Sequence, residues 1–154
     1  MAVTPPEPRP AAVRKADVLA KLTAPVADAW VATATPDGPY LVPLTLAWLR
    51  DHIVLATDGA SRTAAGLTAT GTVRLALGTT RDVVMIDARL VETFPVRDAP
   101  PWVADGYADG TDWDPRKIGG SYVYLVLRPE RIQAWREENE IKGRTLMRDG
   151  VWLG

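Results

Sequence analysis

The 154-residue sequence contains no cysteine and a single histidine, His52. Without cysteine there is no disulfide, thiolate nucleophile, iron–sulfur ligation or cysteine-based zinc site. One histidine leaves neither a histidine-clustered metal site nor a Ser-His-Asp triad with its full set of parts. His52 stands in "RDH", between the apolar pieces "LAWL" and "IVLA", and reads as a solvated residue of a hairpin tip. Charge of one sign is lacking too, since 18 Lys and Arg against 19 Asp and Glu give a net charge of −1. Such a chain has no overall electrostatic reason to seek nucleic acid or anionic lipid. No apolar run approaches a membrane span, and "MAVTPPEPRPAAVRK" lacks the apolar stretch of a signal peptide. The expectation is a cytoplasmic protein with no nucleic-acid and no membrane partner.

What is present is one domain's length and a hydrophobic share of 47%, enough for a real core. Residues 1–15 form a proline-rich arm, expected to be extended and poorly packed, and 16–154 form the domain. "KADVLAKLTAPVA" spaces Val18, Leu19 and Leu22 as a short amphipathic helix ending near Pro25. The period then changes. "AWVATATPDGPYLVPLTLAWL" reads as a strand, the turn "TPDG" and a second strand, and Pro43 within the latter requires an edge or a bulge. "HIVLAT" is a third strand, and "TVRLALGT" a fourth with Val73, Leu75 and Leu77 on one face. "RDVVMIDARLVETFPV" and "GSYVYLVLRPERIQAW" supply a long fifth and sixth, and "RDG" in the tail marks a small hairpin. The residues between 100 and 120 read as a long loop, and "WREENE" as a solvated charge run. Six strands in meander-like order with a few short helices predict a small antiparallel barrel.

The familiar phosphate motifs, G-x-x-x-x-G-K-[ST] and a strand-borne G-x-G-x-x-G, are absent. "DGTDWD" misses the calcium-loop spacing and reads as a turn-rich loop. "TDGASRTAAGL" at Thr57–Leu67 is the informative stretch. A helix starting after Ser61 offers unpaired N–H groups and the positive end of a dipole. Thr57, Ser61 and Thr63 add hydroxyls, and Arg62 adds a forked cation suited to phosphate oxygens. These are the parts of an anion cradle. They are equally the parts of an ordinary capping turn, with Ser61 as N-cap, Gly71 as the stop and Gly66 weakening the middle.

The order of elements carries a resemblance. Strand-turn-strand with "VPL", then "IVLAT", then a Ser/Arg/Thr turn opening a helix that ends in "GTVRLAL", is similar to the flavin-binding split-barrel family of pyridoxamine 5′-phosphate oxidase. "TRDVVMIDARLVE" fits that family's next long strand, and "GRTLMRDGVWL" is similar to C-termini of its actinobacterial branch. The resemblance spans about Asp17 to Trp152. It implies a mainly β, six-stranded antiparallel split barrel of Greek-key type with two to four short flanking helices, forming a homodimer with the cofactor at its interface. It further implies flavin phosphate binding by Thr57, Ser61, Arg62 and Thr63. The isoalloxazine would lie along Val42, Pro43, Leu44 and Thr45, with Trp135 and Arg136 reaching over from the second subunit. Departures are Thr63 where relatives often carry Lys, and Gly66 where they often carry Asn.

The implied activity is flavin-dependent hydride transfer to a small-molecule substrate, with FMN as cofactor and no side-chain catalytic residue required. Two alternatives stay open on the same fold. One uses the deazaflavin coenzyme F-420, whose longer acidic tail would recruit Arg81; the other is a non-catalytic flavin or haem carrier. A cofactor-free structural protein is a third. Trp102, Tyr107 and Trp113 stack on a flat ligand in one reading and pin a loop to the barrel in the other.

Overall fold

The computed structural model describes residues 3–154. The chain opens with α1 (Ala11–Leu22) and continues through β1 (Ala27–Thr35), β2 (Gly38–Leu49) and β3 (His52–Asp58). Next come α2 (Arg62–Thr70), β4 (Thr72–Thr79), β5 (Asp82–Pro95), α3 (Pro101–Gly110) and β6 (Tyr122–Trp135). A last hairpin pairs β7 (Thr145–Arg148) with β8 (Val151–Trp152). The strands follow the order 3-2-1-4-5-6-7-8, and β3 also pairs with β6, so the first six close into an antiparallel barrel. β4 lies beside β1, not β3, because α2 carries the chain across the barrel end. That return replaces the meander read from the strand sequence with the Greek key that the resemblance implies.

Local chemistry explains the hairpins. Arg50 and Asp51 at the β2–β3 tip, and Asp149 and Gly150 at the β7–β8 tip, all have φ between 52° and 77°. Two successive positive φ values match the right-handed twist of the flanking strands. His52 sits just past the first tip, its Nδ1 2.7 Å from the Arg50 carbonyl oxygen.

Alternation along the strands fills the interior. Val31, Leu46, Leu55, Leu75, Ile86, Leu125, Leu127 and Ile132 are all fully buried in one cluster, with Val18 and Leu22 of α1 and Leu67 of α2 closing it. Val73, Leu75 and Leu77 face inward together, as their spacing predicts. Gly66 proves to be a requirement of packing. A Cβ there would lie 2.8 Å from the Ala34 carbonyl oxygen and 3.2 Å from Thr33 Cβ, so α2 rests directly on β1. Gly66→Ala is therefore expected to destabilise the protein by about 1–3 kcal/mol through overpacking, although alanine is the better helix former by about 1 kcal/mol. Urea denaturation reads the difference, and an unchanged midpoint would refute the contact.

Three expectations are corrected. The helix starts at Ala11, inside the expected arm, and Arg9 just before it is held by Glu140 and Asp17 at 2.8 Å each. In "WREENE" Arg136, Glu138 and Asn139 are exposed as expected, but Glu140 is 3% exposed and its carboxylate closes on Arg9. The segment between 100 and 120 is largely α3, followed by a 3-10 turn at Pro115–Lys117. Its prolines and glycines read as a loop, but Pro101 occupies the first helical turn, where a missing N–H costs nothing. Val103, Ala104 and Tyr107 then face the sheet, padding the outside of β2, β3 and β6 at Ala47, Val54, Tyr124 and Val126. Among the described residues no helix is long and apolar enough to cross a membrane.

Candidate cofactor site

The turn from Thr57 to Thr63 closes the barrel end where β3 stops and β6 begins, Thr57 pairing with Val123. Ser61 is extended and its Oγ accepts from the Ala64 N–H at 3.1 Å, so the capping role is real. Its own hydroxyl proton stays available as a donor. The preceding amides are spent within the chain. Gly59 N–H donates to the Ser121 carbonyl (2.8 Å), Ala60 N–H to Asp58 Oδ1 (2.9 Å) and Ser61 N–H to the Asp58 carbonyl (3.0 Å). In the first turn of α2 the N–H groups of Arg62 and Thr63 remain without an intrahelical partner. The Arg62 side chain is exposed, makes no ion pair among the described residues, and lies 5.8 Å from the Tyr40 ring centroid.

Asp58 and Tyr40 were missed by the sequence reading. Asp58 Oδ1 accepts from Ser121 Oγ at 2.6 Å as well as from Ala60 N–H. Those two bonds, Ser121 first, hold its carboxyl below the usual range. The "TDG" triplet carries the signal, since Asp before Gly at a strand end is Asx-turn chemistry. Tyr40 had none, because the alternation places it on β2 without showing what crosses above it.

β2 supplies the second half of the site. It pairs with β1 from Gly38 to Leu46 but with β3 only from Leu46 to Leu49, so residues 38–45 have one open edge. Pro43 lies opposite Trp30 in that stretch, which satisfies the expected edge position. The Thr45 carbonyl faces the open side, where it accepts from Tyr107 Oη at 3.0 Å. Alternation along an antiparallel strand then turns the main-chain groups of Leu41 and Pro43 to the same side. Val42 and Leu44 are half-buried against the barrel core, while Leu41 and Pro43 face outward.

The structure does not bring all the expected residues together. Thr63 is 2% exposed and adds nothing to the outer surface of the turn. Thr45 is committed internally, its hydroxyl donating to Asp28 at 2.6 Å and its carbonyl held by Tyr107. Arg81 follows the far end of β4, about 24 Å along that strand from α2 by the rise per residue, and pairs with Glu137 at 3.4 Å. Within one chain it is too far away to share an anion with Arg62. Trp135 and Arg136 lie at that same far end, Trp135 opposite Val83 and Arg136 ion-paired with Asp82 at 3.3 Å. Of the three aromatics, Tyr107 and Trp113 pin α3 to the barrel. Trp113 Nε1 donates to Tyr107 Oη at 3.0 Å, and the two rings meet edge to face. Trp102 lies under the Arg50 guanidinium at 4.7 Å.

What remains is a corner with one uncommitted guanidinium, two free amides, the Ser61 hydroxyl and an adjoining open strand edge. Asp58 opposes an anion there, but its hydrogen bonds to Ser121 and Ala60 disperse part of its charge. These residues fit a phosphate monoester held beside a flat ring, with less positive charge than the resemblance implies.

No family model matches this sequence, and no curated protein matches it. Solved structures do. An F-420 reductase is 19% identical with a TM-score of 0.57, the match covering 73% of this chain and 93% of that one. A FAD-binding protein from Mesorhizobium loti is 20% identical with a TM-score of 0.56, covering 78% and 90%. A haem-binding protein from Mycobacterium smegmatis is 17% identical with a TM-score of 0.62; the match takes in 97% of this chain but 60% of that protein. The class that the fold defines is a closed six-stranded split barrel, with three α-helices among the described residues. The chain shares that fold with proteins named for flavin, deazaflavin and haem.

Proposed function

We propose that this protein is a flavin-dependent oxidoreductase working as a homodimer on a small organic substrate, with FMN as its cofactor. The observation that carries this reading is the meeting, at one barrel end, of the open β2 edge with the unpaired Arg62. A bound flavin supplies the hydride chemistry. Arg62, the free amides of α2 and Ser61 would hold its phosphate, and the open β2 edge at Leu41 and Pro43 would border its ring. FMN is favoured over F-420 because Arg81, the extra cation that a longer acidic tail would use, stands at the opposite barrel end.

A second copy of the chain completes the site. Trp30 (52% exposed) and Leu41 (59%) share the outer face of β1 and β2 with Pro43, an apolar patch of the kind that marks an interface. A cavity of about 700 Å³ continues this face past Ala32, Pro39 and Arg74. Sedimentation of the purified protein should give a dimer, and a strictly monomeric species would remove this part of the reading.

The decisive measurement is an absorbance spectrum of the purified protein, followed by titration with FMN and with F-420. Arg62→Ala is expected to weaken FMN binding by about 1.5–3 kcal/mol, the value of a charge-assisted phosphate contact. Equal affinity in wild type and variant would sink the cradle. Retention of FMN without substrate-dependent reoxidation would identify a carrier.

A further inference from the structure

We infer that the chain carries a second small-molecule site, for an organic anion with a flat apolar body. It lies between the 3-10 turn at Val96–Asp98, the start of α3 and the Gly119–Gly120 corner. The cavity there measures about 580 Å³, a volume within the span of roughly 300–1,000 Å³ that ligand pockets occupy. Val96, Ala104 and Ala99 make an apolar floor. Tyr124 packs in the same cluster behind that lining, and its buried hydroxyl has no hydrogen-bond partner among the described residues.

Charge decides the ligand's sign. Arg97, Arg116 and Asp105 all line the cavity, but Arg116 and Asp105 neutralise each other at 2.7 Å, and Arg116 is further held by Asp114 at 2.9 Å. Arg97 has no ion pair among the described residues and is left as the uncommitted charge. Gly119 and Gly120 line the same cavity, and a Cβ at either would meet nothing within 4 Å, so that part of the wall is bare main chain bordering open space. A planar ligand can approach such a wall closely while its carboxylate takes the Arg97 fork. The site is separate from the Arg62 corner and does not depend on the cofactor reading. The two are neighbours, however, because Ser121, next to Gly120, bonds Asp58 and Gly59.

The test uses the full chain and 1-naphthoate, a fluorescent carboxylate of suitable shape. Titration should be saturable, with amide NMR shifts gathered at Ala99, Ala104, Gly119 and Gly120. Arg97→Ala should weaken binding about tenfold or more, Arg97→Lys should keep most of it, and the uncharged 1-naphthalenemethanol should bind about tenfold more weakly. Arg62→Ala should leave naphthoate binding unchanged, and Arg97→Ala should leave FMN binding unchanged. Shifts centred on Tyr40 and Arg62, equal affinity in Arg97→Ala, or no saturation at millimolar naphthoate would each overturn the proposal. The shift map on the wild-type protein decides the matter even if a variant fails to fold.

Discussion

Glu140→Ala should lower stability at neutral pH by about 3–5 kcal/mol, the cost of stripping one partner from a buried ion pair. Both carboxylate oxygens are engaged. Oε2 accepts from the Arg9 N–H at 2.8 Å and from Arg9 Nε at 3.0 Å. Oε1 accepts from Arg9 Nη2 and from the Arg136 N–H, each at 2.8 Å. The side chains of Arg9 and Glu140 are 9% and 4% exposed, so without the carboxylate Arg9 keeps little water and only the partly exposed Asp17 at 2.8 Å as a hydrogen-bonded acid. Arg14 adds to the same knot, its buried guanidinium donating to the carbonyls of Ala134, Glu140 and Gly143.

The pH dependence follows from the same geometry. Arg9 holds the Glu140 carboxyl down to about 2, against an ordinary value of 4.5. A carboxyl with a depressed folded pKa contributes stability that is complete above its unfolded value. That contribution, about 3 kcal/mol for a shift of this size, should disappear as pH falls from about 4.5 towards 2. Urea melts of wild type and Glu140→Gln across that range should converge at the acid end. Curves that stay parallel from pH 7 to pH 2 would show that the pair contributes nothing through its charge.

Tyr107→Ala should cost about as much, roughly 3–5 kcal/mol for emptying a buried aromatic site. Tyr107 is fully buried between Trp113 and Tyr124, with ring centroids at 5.8 and 5.7 Å. Its hydroxyl also joins α3 to the barrel, donating to the Thr45 carbonyl and accepting from the Trp113 indole. Tyr107→Phe isolates that link and should cost about 1–3 kcal/mol, because a partly buried indole N–H and a strand carbonyl lose their partner. Trp113 fluorescence should report the loosening in both variants. A Phe variant as stable as wild type would show that packing alone holds α3.

The strands were legible because each had its own local evidence. Val73, Leu75 and Leu77 alternate, "TPDG" and "RDG" mark turns, and Pro43 declares an edge. Ser61 and Gly71 bracket α2 in sequence and cap it in the structure. Long-range partners were not legible. Nothing near Glu140 shows that Arg9 will meet it, so a buried carboxylate read as part of a solvated run. α3 was hidden for a different reason: its glycines and prolines have low helix propensity, which packing of Val103 and Tyr107 overrides. At the candidate site the residue types at the helix start were visible. The use of Gly59, Ala60 and Ser61 amides by Ser121 and Asp58 was not, since it depends on where β6 begins.

Closure of the barrel has a consequence for synthesis. Ile53 meets Leu127 and Asp58 meets Tyr122, so β3 waits for most of the chain before its second neighbour exists. Until then a nascent polypeptide presents a strand with one unpaired edge, rich in Ile53, Val54 and Leu55. Such contacts between distant segments slow folding and prolong exposure to aggregation. Fragments that stop before Tyr122 should accumulate as insoluble material, whereas chains extended through Trp135 recover solubility.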